Sequence, residues 1–235
     1  MHTYAPKVDK SEVLRYLGYK GTFLSPDMNA FIENCIHSAL EIIAPKCLLG
    51  RYPIVFGEDG IHVQGTTLIL HGRDIARQLL GCSSIFLLCA TVGVEMDRLI
   101  RIKMISAPDA GTVLDSCGSS AVESLCNMIT ADISAQCEKD GLFITPRFSP
   151  GYGDLPLEIQ PKLIAALEAE KRIGLTCTQS LIMIPRKSVT AIVGVGAKTQ
   201  YITTENENCK ACSLNETCSF KKGSGACGYS ENTEE

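Results

Sequence analysis

No apolar run in this chain is long enough to cross a bilayer: the longest, Ile85 to Val94 (IFLLCATVGV), is about half of the ~20 residues a spanning helix needs. It reads instead as a buried strand. The first residues, MHTYAPKVDKSEVLRYLG, lack the apolar stretch that a secretory signal places after its basic residues, so a cytoplasmic location is expected. Charge of one sign is lacking too. With 22 Lys plus Arg against 26 Asp plus Glu the formal charge is −4, which gives no broad attraction to phosphate backbones or anionic lipid. Neither nucleic acid nor membrane is an expected partner; a small molecule or another protein is. Histidine is scarce, and His2, His37, His62 and His71 form no zinc-protease pair.

What is present is ordinary globular composition, 45% hydrophobic over 235 residues. That length suits one large or two small domains and excludes disorder for most of the chain. Of the twelve cysteines, eight (Cys35, Cys47, Cys82, Cys89, Cys117, Cys126, Cys137 and Cys177) are dispersed, mostly in apolar segments, as reduced core thiols would be. The other four crowd into the last 31 residues.

Asp9 followed by Glu12 is a capping pair for a short helix that Gly18 ends. Ser25 and Pro26 open a second, with Met28, Phe31, Ile32, Cys35, Ile36, Ala39, Leu40 and Ile43 at three-and-four spacing until Pro45. Tyr52 to Phe56 and Ile61 to Leu70 flank Glu58-Asp59-Gly60 as a hairpin, and a helix from about Arg73 to Leu80 follows. Ser84 to Thr91 reads as a strand, Val94 to Ile105 as a helix, Ala110 to Lys139 as a long packed helix, and Lys162 to Glu170 as another. Ser180 to Ile184 and Ser188 to Val195 read as a second hairpin about Pro185-Arg186-Lys187. Strands joined by hairpins and helices predict an α+β fold, a mainly antiparallel twisted sheet with helices around it. We place the main domain at 1–203 and a Cys-rich appendage at 204–235.

Gly194-Val-Gly196-Ala-Lys198-Thr199 has the look of a phosphate loop, but alanine precedes the lysine and no helix pattern follows. Asp115 and Glu123 on the long helix are acid–base candidates, with solvated surface carboxylates as the competing reading.

The stretch Arg147 to Val195 is the informative one. It carries Arg147, Pro150, Gly151 and Tyr152; Glu170, Lys171 and Gly174; Leu175, Thr176 and Ser180; and Met183, Pro185, Ser188 and Val189. In that order these residues resemble the activation domain of cobalamin-dependent methionine synthase, in its stand-alone bacterial form: an Arg-x-x-Pro-Gly-Tyr loop, a helix ending in Glu-Lys-x-x-Gly, then Leu-Thr-x-Ser, Met-x-Pro and Ser-Val. Upstream the likeness is looser, at Leu17-Gly18-Tyr19 and in the general order of elements. After the tyrosine, long-chain members usually continue with a Pro and a Cys-Pro pair, where this chain reads Gly153-Asp154-Leu155-Pro156.

The resemblance implies binding of S-adenosylmethionine and its presentation to the cobalt of a separate cobalamin domain, so that inactive cob(II)alamin is reduced by one electron and remethylated in methionine biosynthesis. This chain has no Asp-x-His-x-x-Gly corrinoid motif and no substrate domain. The implied protein therefore works in trans on a core methionine synthase holding the cobalamin, with a flavodoxin-like electron donor, and is not a complete enzyme alone. The residues suit such a ligand independently. An arginine fork grips an amino-acid carboxylate, Pro-Gly-Tyr-Gly lets backbone approach closely, and a tyrosine face beside a sulfonium contributes ~0.5–2 kcal/mol. A structural ion pair at Arg147 and a packed turn aromatic at Tyr152 are the competing readings. By family spacing Tyr201 falls where another ligand-contacting tyrosine is expected.

Beyond Thr203 the chain is polar and charged, with Cys209-x2-Cys212-x5-Cys218-x8-Cys227. Four thiolates in a segment without a core suit a four-iron cluster or a structural zinc; a flexible tail with free thiols is the alternative. Two other functions stay open: a redox activator of another corrinoid methyltransferase using a tail cluster, and a non-enzymatic S-adenosylmethionine sensor.

Overall fold

The computed structural model describes residues 4–20 and 23–197. Tyr201 and the four tail cysteines lie outside the described residues.

Local signals set the first elements. The Asp9 carboxylate accepts the N–H groups of Ser11 and Glu12 at the start of α1 (Lys10–Tyr16), and Ser25 Oγ accepts that of Met28 at the start of α2 (Pro26–Ile42). The sheet strands are β1 (Lys46–Gly57), β2 (Gly60–Val63), β3 (Ile69–Leu70), β4 (Ser84–Thr91), β5 (Phe143–Ile144) and β8 (Ser188–Gly196). They run β3-β2-β1-β4-β8-β5, and every ladder is antiparallel. A separate two-stranded ribbon pairs β6 (Thr176–Cys177) with β7 (Met183–Ile184). The remaining helices are α3 (Arg73–Gln78), α4 (Val94–Ser106), α5 (Pro108–Lys139), α6 (Gln160–Ala166) and α7 (Ala169–Ile173). The architecture is α+β.

β4 is buried on both faces, which explains its unbroken apolar run. Ile85, Leu87 and Cys89 face a core shared with α3, α6 and α7, whereas Leu88 and Ala90 face α5 through Leu125, Cys126, Ile129 and Ile133. A third cluster joins α1, α2, α4 and the first half of α5.

Four expectations differ. Residues 180–195 are not a hairpin: β7 pairs with β6, and β8 with β4 and β5. β8 is almost wholly buried and needs cover on both faces, which the half-exposed β7 segment does not share. The turn between them is anchored elsewhere, with Arg186 N–H donating to Asp97 Oδ2 at 2.6 Å. The helix expected over 162–170 is two helices, broken where Glu168 adopts a left-handed φ of 51°. The strand expected from Ile61 to Leu70 is interrupted between β2 and β3 by a turn that Thr66 closes through Val63 O and Leu68 N. β1 begins six residues earlier than expected, because Lys46 to Arg51 find partners along β4, Thr91 to Phe86.

The eight dispersed cysteines are free thiols within the core or partly buried, as expected. Burial pushes the Cys82 thiol up to about 11 and those of Cys89, Cys117 and Cys126 to about 12. With values raised in the folded state, the folded chain keeps protons that the unfolded chain releases above about 9. Stability is therefore expected to be unaffected by these thiols below pH 9 and to fall steadily above it, measured by urea unfolding between pH 7 and 10.5. At pH 8 these four thiols should resist an aromatic disulfide reagent until the chain is unfolded. Rapid labelling of Cys89 or Cys126 in the native state would contradict this packing.

Candidate functional site

The backbone on both sides of Arg147 is pinned before its side chain is considered. Gln78 Nε2 on α3 donates to Pro146 O at 2.6 Å, and Phe148 exchanges both backbone hydrogen bonds with Ile192 of β8. Between these points the Arg147 side chain, 15% exposed, reaches one face of α5. Its Nη1 donates to Asn127 Oδ1 at 2.9 Å and Thr130 Oγ1 at 3.1 Å, and its Nη2 to Glu123 Oε2 at 3.0 Å. Positions 123, 127 and 130 recur at helical spacing and so line one stripe. Three of the five guanidinium hydrogens are used; Nε–H and the second Nη2–H make no hydrogen bond among the described residues. The Glu123 side chain is 40% exposed. The ion-pair reading of Arg147 is thus realised, with two guanidinium N–H groups left over among the described residues.

The following loop turns around Tyr152. Gly151 and Gly153 have φ of 86° and 53°, values only glycine takes without strain. Tyr152 N–H donates to Ser149 O, Leu155 N–H to Tyr152 O, and Gly151 N–H to Leu155 O. Pro150 and Leu155 are buried, whereas Tyr152 is 62% exposed at the tip. Arg147 reaches α5 while Leu155 enters the core on the opposite face of the sheet, so the loop wraps the sheet edge. Arg147, Pro150, Gly151 and Tyr152 therefore belong to one continuous structure.

Other candidates take structural places. Asp115 Oδ1 lies 2.9 Å from Lys187 Nζ, which also donates to Ser119 Oγ, and Lys187 is only 13% exposed. Its stem crosses Gly118, where a Cβ would meet Lys187 Cγ at 2.9 Å. The glycines of the Gly194-Val-Gly196 segment lie in β8, and a Cβ on Gly196 would fall 2.5 Å from Gly81 O, so they serve packing, not a phosphate. Sequence reasoning overlooked Asn127, Thr130 and Lys187. The spacing of Asn127 and Thr130 on α5 is a signal, but their partner Arg147 and the Asp115 partner of Lys187 are distant in the chain.

On α1, the Arg15 guanidinium sits 4.4 Å over the Tyr16 ring and pairs with Glu12. Burial, then the nearby Glu123 charge, holds the Tyr16 hydroxyl above its ordinary range, so α1 flanks the Glu123 end of the stripe. A recess of about 220 Å³ lies at the β2–β3 turn, toward the other edge of the sheet; apart from His62 it has no titratable lining. Among the described residues no group of three or more His, Cys, Asp or Glu side chains could hold a metal ion, and no described helix is long and apolar enough to cross a membrane.

No family model and no curated protein matches this sequence. Among solved structures, the crystal structure of the MetH reactivation domain bound to AdoHcy superposes with a TM-score of 0.61 at 14% identity, covering 83% of this chain and 76% of that one. The two chains share a fold.

Proposed function

We propose that this chain binds S-adenosylmethionine at the Arg147–Tyr152 loop and acts in trans as a reactivation factor for a separate cobalamin-dependent methionine synthase. The observation that carries this reading is the Arg-x-x-Pro-Gly-Tyr loop on a fold shared, over 83% of the chain, with a domain crystallised with AdoHcy. The residues fit the ligand. The N–H groups that Arg147 does not donate to α5 take the amino-acid carboxylate, and the Glu123 carboxylate, 40% exposed, takes the ammonium group. Tyr152 offers its ring to the sulfonium, and the glycines beside it let the backbone close in.

Such a protein needs no nucleophile of its own; it contributes position and orientation. The S–CH3 bond breaks as a bond from methyl to the partner's cobalt forms, leaving neutral S-adenosylhomocysteine. The electron that first reduces cob(II)alamin comes from an external donor of flavodoxin type. Tyr201 belongs to this reading as a further ligand contact, and Cys209, Cys212, Cys218 and Cys227 as an iron–sulfur or zinc site.

Calorimetric titration of the full chain with S-adenosylmethionine is expected to give a saturable one-site isotherm. Corrinoid remethylation by a core synthase with reductant and S-adenosylmethionine is expected to depend on adding this chain. Remethylation that runs equally well without it would refute the role in trans, and no binding at millimolar ligand would refute the site. Tight binding with no effect on methylation would favour the sensor instead.

A further inference from the structure

Two glycine–aspartate pairs lock the tyrosine turn onto the start of α3. Asp154 Oδ1 lies 2.6 Å from where a Cβ on Gly72 would stand, and Asp74 Oδ2 lies 2.6 Å from where one on Gly153 would stand. Both glycines have positive φ, 136° and 53°, so another residue at either place is strained as well as crowded. Asp154 also accepts the N–H groups of Arg73 at 2.7 Å and Asp74 at 3.0 Å, supplying the cap that Gly72 lacks. At the far end of the same helix, buried Gln78 holds Pro146 O. One short helix thus grips the loop just before Arg147 and just after Tyr152.

We propose that Asp154 is a positioning residue: by clasping the turn to α3 it sets where the Tyr152 ring stands, and through that ring the preference for a sulfonium ligand over the neutral thioether left after methyl transfer. This rests on the S-adenosylmethionine reading. Asp154 itself faces α3. The charge-dependent attraction of an aromatic face falls off as the ring moves, whereas the apolar contact common to both ligands is less demanding.

Burial alone would raise the Asp154 carboxyl, but the N–H groups of Asp74 and Arg73 and the Arg73 guanidinium outweigh it and hold the group below its ordinary range. The other charged groups against the clasp are Asp74 and its partner Arg77. The clasp is therefore complete at neutral pH and is lost as the pH falls through that lowered value.

The test is amide exchange and calorimetry on the full chain as wild type, Asp154→Ala, Asp154→Asn, Tyr152→Leu and the Asp154→Ala/Tyr152→Leu double variant. Asp154→Ala is expected to speed exchange of the Gly151, Tyr152 and Leu155 amides about tenfold while β4 amides stay unchanged. It should weaken S-adenosylmethionine binding about tenfold and S-adenosylhomocysteine binding less than about threefold. In the Tyr152→Leu background it should add less than about threefold. Asp154→Asn should abolish the acid-side loss of loop protection. Loop amides as protected in Asp154→Ala as in wild type would overturn the proposal whatever the ligands do. So would equal losses for both ligands, or effects of the two substitutions that add in full. If the wild type binds neither ligand, the functional reading and the ligand preference fail together, while the exchange data still decide whether Asp154 holds the turn.

Discussion

Arg147→Ala is expected to weaken S-adenosylmethionine binding by ~100-fold or more, read by calorimetric titration. Two charge-assisted hydrogen bonds from one planar group to a carboxylate, at about 1.5–3 kcal/mol each, correspond to that factor. The substitution also removes the guanidinium that pairs with Glu123, so the ligand carboxylate enters beside that carboxylate without the cation between them. Arg147→Lys keeps the charge but not the fork and should fall between wild type and Arg147→Ala. The stability cost is expected to be small, about 1 kcal/mol, because Glu123 is 40% exposed and its half of the pair is screened by water. Affinity and stability should therefore separate. An Arg147→Ala chain that binds as tightly as wild type would leave the arginine with only its ion-pair role.

Gly196→Ala should lower stability by about 3 kcal/mol, seen in differential scanning calorimetry as a fall in Tm of roughly 6–12 °C. The new Cβ would lie 2.5 Å from Gly81 O and 3.1 Å from Cys82 Cα. Both are backbone atoms, so relief requires β8 or the α3–β4 connection to move, and β8 is locked between β4 and β5. Gly194→Ala should cost less, because its nearest obstacles at 2.7 Å, Cys82 Sγ and Leu79 Cδ2, are side-chain atoms with some freedom. An unchanged Tm for Gly196→Ala would mean that this connection is softer than its packing implies.

Short-range features were legible. Asp9 and Ser25 cap the helices that their positions announce, since a cap involves neighbours two or three residues away. β4 falls on Ser84–Thr91 as expected, and α5 extends only two residues beyond the expected start, because long unbroken patterns outweigh local ambiguity. The loop at Arg147 was also legible, through its order of Arg, Pro, Gly and Tyr. Pairing partners were not. Ser188 to Val195 looks like the return arm of a hairpin, yet its partner β4 lies about a hundred residues earlier. A turn signal says that the chain reverses, not which strand it meets.

The sequence by itself determined the antiparallel α+β class, the long helix and the buried thiols, because each follows from neighbours within a few turns or from composition. Only the tertiary structure decided that Arg147 faces Glu123, Asn127 and Thr130, that Lys187 answers Asp115, and that Asp154 caps a helix begun eighty residues before it. These contacts join segments far apart in the chain. Which charge meets which is fixed by the packing of the sheet between them and leaves no trace in local periodicity.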